Sequence, residues 1–191
     1  MKQILAIIFF LIGTFASNSV QGQHQFKLEN FTVEAAPEWT DLFYRNSGWF
    51  GADGIFSIAL HANEGPCDPN QKYMLYFSDT YIGEVEDGKP KPGYKMVNNS
   101  VAYLSGCEPD PEKITFQYNR DSEGTPSSYF VPSNSKSKKG QYYWLGDGFV
   151  NKVNGDTMYI FAYHVEMTGP NVFDFAEPDV SILVIPPGEQ P

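Results

Sequence analysis

The residues best suited to chemistry in this chain are three aspartates, two of which occur in a repeated context. Segments 47–54 (SGWFGADG) and 142–148 (YYWLGDG) both place Trp, then Gly, then Asp-Gly directly before an apolar run. Asp53 and Asp147 hold the equivalent position, and Asp79 ends another apolar run. Glycosidic cleavage needs two carboxyl groups, because one protonates the leaving oxygen while the other activates water or attacks the sugar. The pattern therefore predicts Asp53, Asp147 and Asp79 as catalytic residues of a sugar-cleaving enzyme.

Each of these residues also has a structural alternative. An Asp-Gly pair commonly forms a turn, and an Asp at a strand end commonly caps one. Trp49 and Trp144 are predicted to stack on sugar rings, although core packing explains such residues equally well. Arg45 is predicted to pair with a site carboxylate or to bind substrate, with an ordinary surface arginine as the alternative.

Composition and patterning indicate an all-β chain. Aromatic residues make up 16% of the sequence, with 17 Gly and 14 Pro, and no helical apolar stripe of useful length follows the N-terminal region. One short helix is predicted over 37–43, with Pro in its first turn. Asn154-Gly155 predicts a type I′ hairpin. Strands are predicted over 54–60, 73–78, 98–104, 113–118, 141–145 or 148–153, 157–165 and 180–185.

If the first three strands form an antiparallel meander, Asp53, Asp79 and Asn99 share one edge of the sheet. Asn99 is accordingly predicted to bind substrate there. Cys67 and Cys107 fall at the opposite edge, which makes a disulfide between them geometrically sensible. Two free thiols are the alternative.

The first residues predict export and the charge restricts the partners. Residues 1–22 have a basic start, an apolar core and a small-residue tail, which is typical of a cleaved signal peptide; an uncleaved anchor is the alternative. We therefore predict a secreted or periplasmic protein that leaves the membrane after cleavage. A net charge of -10 disfavours nucleic acid and polyanionic substrates and favours a neutral polysaccharide or oligosaccharide. His61 and His164 lack metal-ligand spacing, so neither a metal nor a cofactor is predicted.

Several ordered segments resemble a group of secreted bacterial domains of unknown function. These are 45–54, 77–83, 96–100 and 143–148. That group is similar to the five-bladed β-propeller glycosidases, the clan of arabinanases and arabinofuranosidases. The resemblance implies arabinan or another furanoside as substrate, Asp53 as base and Asp147 as a pKa-tuning or positioning acid. It places Asp79 and Asn99 at recurrent channel-edge positions and matches no residue to the general acid.

The strand count falls short of a whole propeller. Residues 23–191 are therefore predicted to be the N-terminal part of the domain, about the first two blades of a partial five-bladed propeller. The remaining blades are then its expected partners, and this piece alone should have little or no activity. A non-catalytic glycan-binding propeller and a complete small β-sandwich are the alternatives.

Overall fold

The computed structural model describes residues 32–62 and 68–188. The predicted signal peptide, residues 1–22, and Cys67 lie outside these ranges. The chain divides after Ala35, and residues 36–191 form the unit that contains every element named below. Its elements are α1 (Pro37–Asp41), β1 (Ser47–Ala52), β2 (Phe56–Ala59), β3 (Lys72–Phe77), β4 (Thr80–Glu86), β5 (Lys89–Pro90), β6 (Lys95–Val97), β7 (Ser100–Ser105), β8 (Ile114–Gln117), β9 (Asn119–Arg120), β10 (Pro126–Ser127), β11 (Tyr142–Asn151), a 3₁₀ turn (Lys152–Asn154), β12 (Thr157–Met167) and β13 (Phe175–Ile185).

Four strands in the order β2-β3-β7-β8 form the antiparallel sheet that was predicted, here called the meander sheet. Phe56 pairs with Tyr76, and Phe77 pairs with Ser100. The start of β2, the end of β3 and the start of β7 therefore meet at one edge. The all-β antiparallel prediction is confirmed, as is the short helix at residue 37.

The C-terminal sheet has the order β11-β12-β13 and is also an antiparallel meander. Its first strand is one ten-residue strand, not the two alternatives 141–145 or 148–153, because a bulge between Leu145 and Gly148 bends it without ending it. The β11–β12 hairpin turns through the 3₁₀ element and then Gly155 and Asp156, both with positive φ. The predicted type I′ turn is wrong in detail.

The other strands belong to elements that the sequence pattern did not predict. β4 pairs with β1 on one side and with β5 and β6 on the other, and β9 pairs with β10. The stretch from Gly83 to Gly93 therefore lies partly in strands, although its Gly and Pro content suggested a loop. Among the described residues, no helix is long and apolar enough to cross a membrane.

Two apolar clusters hold these sheets together. In the first, Met74, Tyr76 and Val101 of the meander sheet pack against Leu145 and Ile160 of the C-terminal sheet. All five are almost fully buried. Burial of each such side chain stabilises the fold by about 1.5–3 kcal/mol. The two meander sheets thus pack face to face, an arrangement consistent with neighbouring propeller blades.

The second cluster is aromatic and lies between the meander sheet, β1 and α1. Trp49 is its centre, with ring centroids 4.4 Å from Phe116 and 5.1 Å from Phe77. Phe43, just after α1, meets all three rings at 6.0–6.4 Å. These contacts fix β1 against the meander sheet and so position the residues that follow β1.

Candidate active site at one edge of the meander sheet

Two of the three predicted acids lie side by side at the predicted edge, here called the acidic rim (Asp53 and Asp79). The backbone N–H of Asp53 donates to the carbonyl of Asp79 at 3.1 Å. The N–H of Ser78 donates back to the carbonyl of Asp53 at 3.0 Å. Asp53 is exposed and Asp79 is half-buried. The meander geometry anticipated from sequence is therefore observed for this pair.

Gly54 allows the close approach at the rim. Its φ is +57°, and a Cβ at this position would lie 2.9 Å from Oγ of Ser78. A side chain there would strain the backbone and push apart the two bends that carry Asp53 and Asp79. The Asp-Gly sequence thus forms a turn, as the structural alternative proposed, and the turn itself brings the acid to the rim.

A buried chain of hydrogen bonds holds the bend that carries Asp79. Oγ1 of Thr80 donates to the carbonyl of Ser78 at 2.8 Å, so it accepts the 2.8 Å hydrogen bond that the Ser100 hydroxyl donates. The indole N–H of Trp49 donates to that same Ser100 oxygen at 3.1 Å. Since every group has a partner and Thr80 and Ser100 are fully buried, the chain is rigid. The backbone that carries Asp79 is therefore held in place.

The environment of Asp79 raises its pKa. Burial is the main cause, and the negative charge of Asp53 adds to it. Hydrogen bonds from Trp144 and Asn98 act in the opposite direction but do not cancel the rise. The Trp144 indole N–H lies 3.0 Å from Oδ1 of Asp79. The pKa of Tyr142 is also raised, by burial and then by the charge of Asp79.

Sequence reasoning missed Asn98 and Tyr142 as neighbours of Asp79. A signal existed for Tyr142, because it precedes Trp144 by two positions in β11 and such residues share a face of the strand. The ring centroids of Tyr142 and Trp144 lie 5.9 Å apart. For Asn98 the signal was only its place beside Asn99.

Asp147 does not join the rim pair in the same way. It lies in the β11 bulge, in mid-strand and not at a strand start as predicted, and its carboxylate accepts from the N–H of Gly148 at 2.8 Å. Its charge acts on Tyr76, whose pKa is raised first by burial and then by Asp147. The Tyr76 hydroxyl is buried without a hydrogen-bond partner among the described residues. The two Asp-Gly copies are therefore not structurally equivalent.

Two predicted substrate-binding residues are corrected by their burial. Trp49 is 4% exposed and sits in the aromatic cluster, so its ring faces cannot stack on a sugar. Asn99 is 0% exposed, and its amide is fully used: Nδ2 donates to the carbonyls of Phe130 and Tyr143, and Oδ1 accepts from Phe130 N–H at 2.7 Å. Both residues are therefore structural supports of the rim, with almost no surface exposed to a ligand. Trp144 is only half-buried, and its predicted ligand role stays a prediction.

Arg45 is also placed differently from its prediction. Its guanidinium lies over the Phe116 ring at 4.9 Å, and no ion pair joins it to a described carboxylate. Cys107 is disulfide-bonded. Its predicted partner Cys67 lies outside the described residues, so that pairing stays a prediction.

No group of three or more His, Cys, Asp or Glu side chains in residues 32–62 and 68–188 could hold a metal ion. A groove of about 470 Å³ beside β1, β4 and the β9–β10 ribbon contains none of the three aspartates in its lining. The acids therefore lie on an open rim and not in that groove.

Fold and site together define an all-β protein with a rim of two neighbouring carboxyl groups, one of them half-buried. Residues 37–189 match the family described as a domain of unknown function, DUF5005, and the chain belongs to that family. Its structure is similar to the crystal structure of a proposed hydrolase from Bacteroides ovatus ATCC 8483, with a TM-score of 0.60 and 16% identity. The match covers 81% of this chain and 39% of that one, and at this identity it shows the fold alone. No curated protein matches the chain.

Proposed function

We propose that this protein is an exported, glycan-directed hydrolase domain in which Asp79 and Asp53 form the acid/base pair. The observation that carries the proposal is the half-buried Asp79 carboxyl, held by Trp144 beside a second carboxylate. A raised pKa keeps a carboxyl group protonated to higher pH, as a proton donor to a leaving oxygen requires. The exposed Asp53 is open to water and fits the role of base or nucleophile.

The proposed roles differ in part from those that the sequence suggested. Asp53 keeps its proposed role, Asp79 takes the part of proton donor, and Asp147 supports the site indirectly near Tyr76. We propose arabinan or another furanoside as the first substrate to test, because the sequence segments resemble a group of secreted domains that is itself similar to the arabinanase clan. The similarity to a longer proposed hydrolase is compatible with this proposal.

The test is release of reducing sugar from arabinan by the protein that carries this domain together with its predicted remaining blades. Asp79→Asn and Asp53→Asn should each lower turnover by about 10²–10⁴-fold, since each removes a proton-transferring group. Asp87→Asn is the matched control, because Asp87 is also followed by Gly but lies in an exposed turn. Undiminished turnover in Asp79→Asn would refute the proposal.

A glycan-binding role without cleavage is the second candidate. It is favoured by the aromatic rings near the rim. The ring centroid of Trp144 lies 5.9 Å from that of Tyr142 and 4.9 Å from that of Phe175. Saturable binding of an arabino-oligosaccharide without product, and unchanged in Asp53→Asn, would support this candidate.

We further propose that another β-sheet covers the outer face of the C-terminal sheet, as adjacent propeller blades do. That face is apolar yet open, with Val180, Ile182 and Val184 51–57% exposed. The neighbouring strand β12 adds Phe161 and Tyr163, which pair with Ile182 and Val180 of β13. Exposed apolar patches of this kind mark interaction surfaces. Ile182→Glu should disrupt assembly with the covering sheet, measured by hydrogen exchange in β13.

A further inference from the structure

A group of three aromatic rings, two of them exposed and one half-buried, lies on the outer side of β1, β4 and the segment before β6. We call it the aromatic platform (Phe50, Tyr81 and Tyr94). The ring centroids lie 5.7–6.1 Å apart, and Phe50 and Tyr81 are stacked within 19°. Tyr81 is 40% exposed and Tyr94 is 45% exposed. The platform therefore offers aromatic surface to the solvent, unlike the buried cluster around Trp49.

Local backbone features create the platform. A register shift in β1 falls at Phe50, between Trp49 and Gly51, so the strand has an extra residue at this position. In β4, Gly83 leaves room for Tyr94, since a Cβ there would lie 2.7 Å from Cβ of Tyr94. The bulge and the glycine together bring the three rings together on one surface.

A groove continues from the platform at Phe50. It has a volume of about 310 Å³, and its lining includes Tyr44, Arg45 and Asn46. Nε of Arg45 is buried and has no hydrogen-bond partner among the described residues. The surface therefore combines aromatic faces with side chains that can form hydrogen bonds.

The platform also leads directly to the acidic rim. Tyr81 pairs with Gly51 across β4 and β1. Asp79 lies two residues before Tyr81, and Asp53 lies two residues after Gly51, which is about 7 Å along an extended chain. A ligand long enough to cover the platform and the rim would contact both.

We infer that the aromatic platform and its groove bind a neutral glycan chain and deliver it to Asp53 and Asp79. This inference rests on the proposed function, because it takes the rim as the place of cleavage. The platform rings carry no ionised group, and the chain has a net charge of -10, so a polyanionic ligand is disfavoured. Sugar rings supply apolar faces for stacking and hydroxyl groups for the tyrosines and the groove.

Affinity electrophoresis in native gels tests the inference. Arabinan, xylan and mannan are the neutral probes, and polygalacturonate is the anionic probe. At least one neutral polysaccharide should slow the wild-type protein, and polygalacturonate should not. The double variant Tyr81→Ala/Tyr94→Ala should lose at least fivefold in apparent affinity. Phe173→Ala, which removes a ring that is 87% exposed elsewhere, should behave as wild type.

Asp79→Asn separates this inference from the proposed function. Retardation should persist in this variant, because it keeps the platform and changes only the rim. If Asp79→Asn cleaves arabinan normally while platform variants bind poorly, the acid/base proposal fails and the binding surface stands.

A second measurement covers the case in which the double variant does not fold. In the wild-type protein, titration with an arabino-oligosaccharide should shift the ring NMR signals of Tyr81 and Tyr94. Tyr159, which lies toward the other end of β12 and stacks on Phe149, should not shift. The inference is overturned if no neutral polysaccharide slows the wild type, if a folded double variant is retarded normally, or if Tyr159 responds as strongly as the platform.

Discussion

The repeated segments 47–54 and 142–148 are similar in sequence but have different roles in the structure. In the first, Trp49 is buried and donates to Ser100 beneath the bend of Asp79, and Asp53 follows in a turn. In the second, Trp144 is half-buried and donates directly to Asp79, while Asp147 lies in a bulge. The Trp144 indole N–H thus binds the Asp79 carboxyl group directly, and that of Trp49 helps to hold the bend that carries Asp79. The repeat therefore supplies two tryptophans that position Asp79, and not two equivalent catalytic acids.

The largest difference between the copies should be in stability. Trp49→Ala removes the centre of an aromatic cluster and leaves the Ser100 hydroxyl without its donor, so we expect a loss of about 3–5 kcal/mol. Trp144→Ala removes a half-buried ring and should cost less than half as much. Urea unfolding of both variants measures the two free energies. Equal losses would mean that the copies have the same structural role.

The second largest loss of stability is expected for substitution of Asn99. Asn99→Ala removes a hydrogen bond from the buried Tyr143 carbonyl, which should cost about 1–3 kcal/mol, and two part-buried hydrogen bonds to Phe130, which should cost less. Asn70→Ala, at an exposed position, is the control and should change stability little. A loss in Asn99→Ala no greater than that in Asn70→Ala would contradict the positioning role.

The sequence predicted the meander and the meeting of Asp53 with Asp79 because strands that follow one another along the chain often pair. The prediction held even though β4, β5 and β6 lie between β3 and β7. It could not predict the roles of Trp49 and Asn99, since burial depends on which sheet covers a residue. The two Asp-Gly copies also differ for a tertiary reason: Ala52 ends β1 and a new strand starts after Gly54, whereas pairing with β12 carries β11 through its bulge. β4 was missed because Gly83 accommodates Tyr94 and does not mark a loop.

Asp79→Asn should raise stability at neutral pH. The raised pKa means that the native state binds this proton more tightly than the unfolded chain does. The free energy of unfolding therefore falls as pH rises from the unfolded pKa of about 3.9 through the folded pKa, and the cost persists above it. The variant should exceed wild type at pH 7, and this advantage should shrink as pH falls through the folded pKa. Thermal unfolding from pH 3 to 8, with Asp87→Asn as control, measures this difference; a variant less stable at pH 7 would contradict it.

The smallest expected effect tests which acid acts on Asp79. Asp53→Asn removes a negative charge that raises the pKa of Asp79, so that pKa should fall. Asp147→Asn should leave the pKa of Asp79 unchanged and lower that of Tyr76. Carboxyl ¹³C NMR titration of Asp79 in both variants measures the comparison. If Asp147→Asn lowers the pKa of Asp79 as much as Asp53→Asn does, the two Asp-Gly copies act on one site, and the separation drawn from the β11 bulge is wrong.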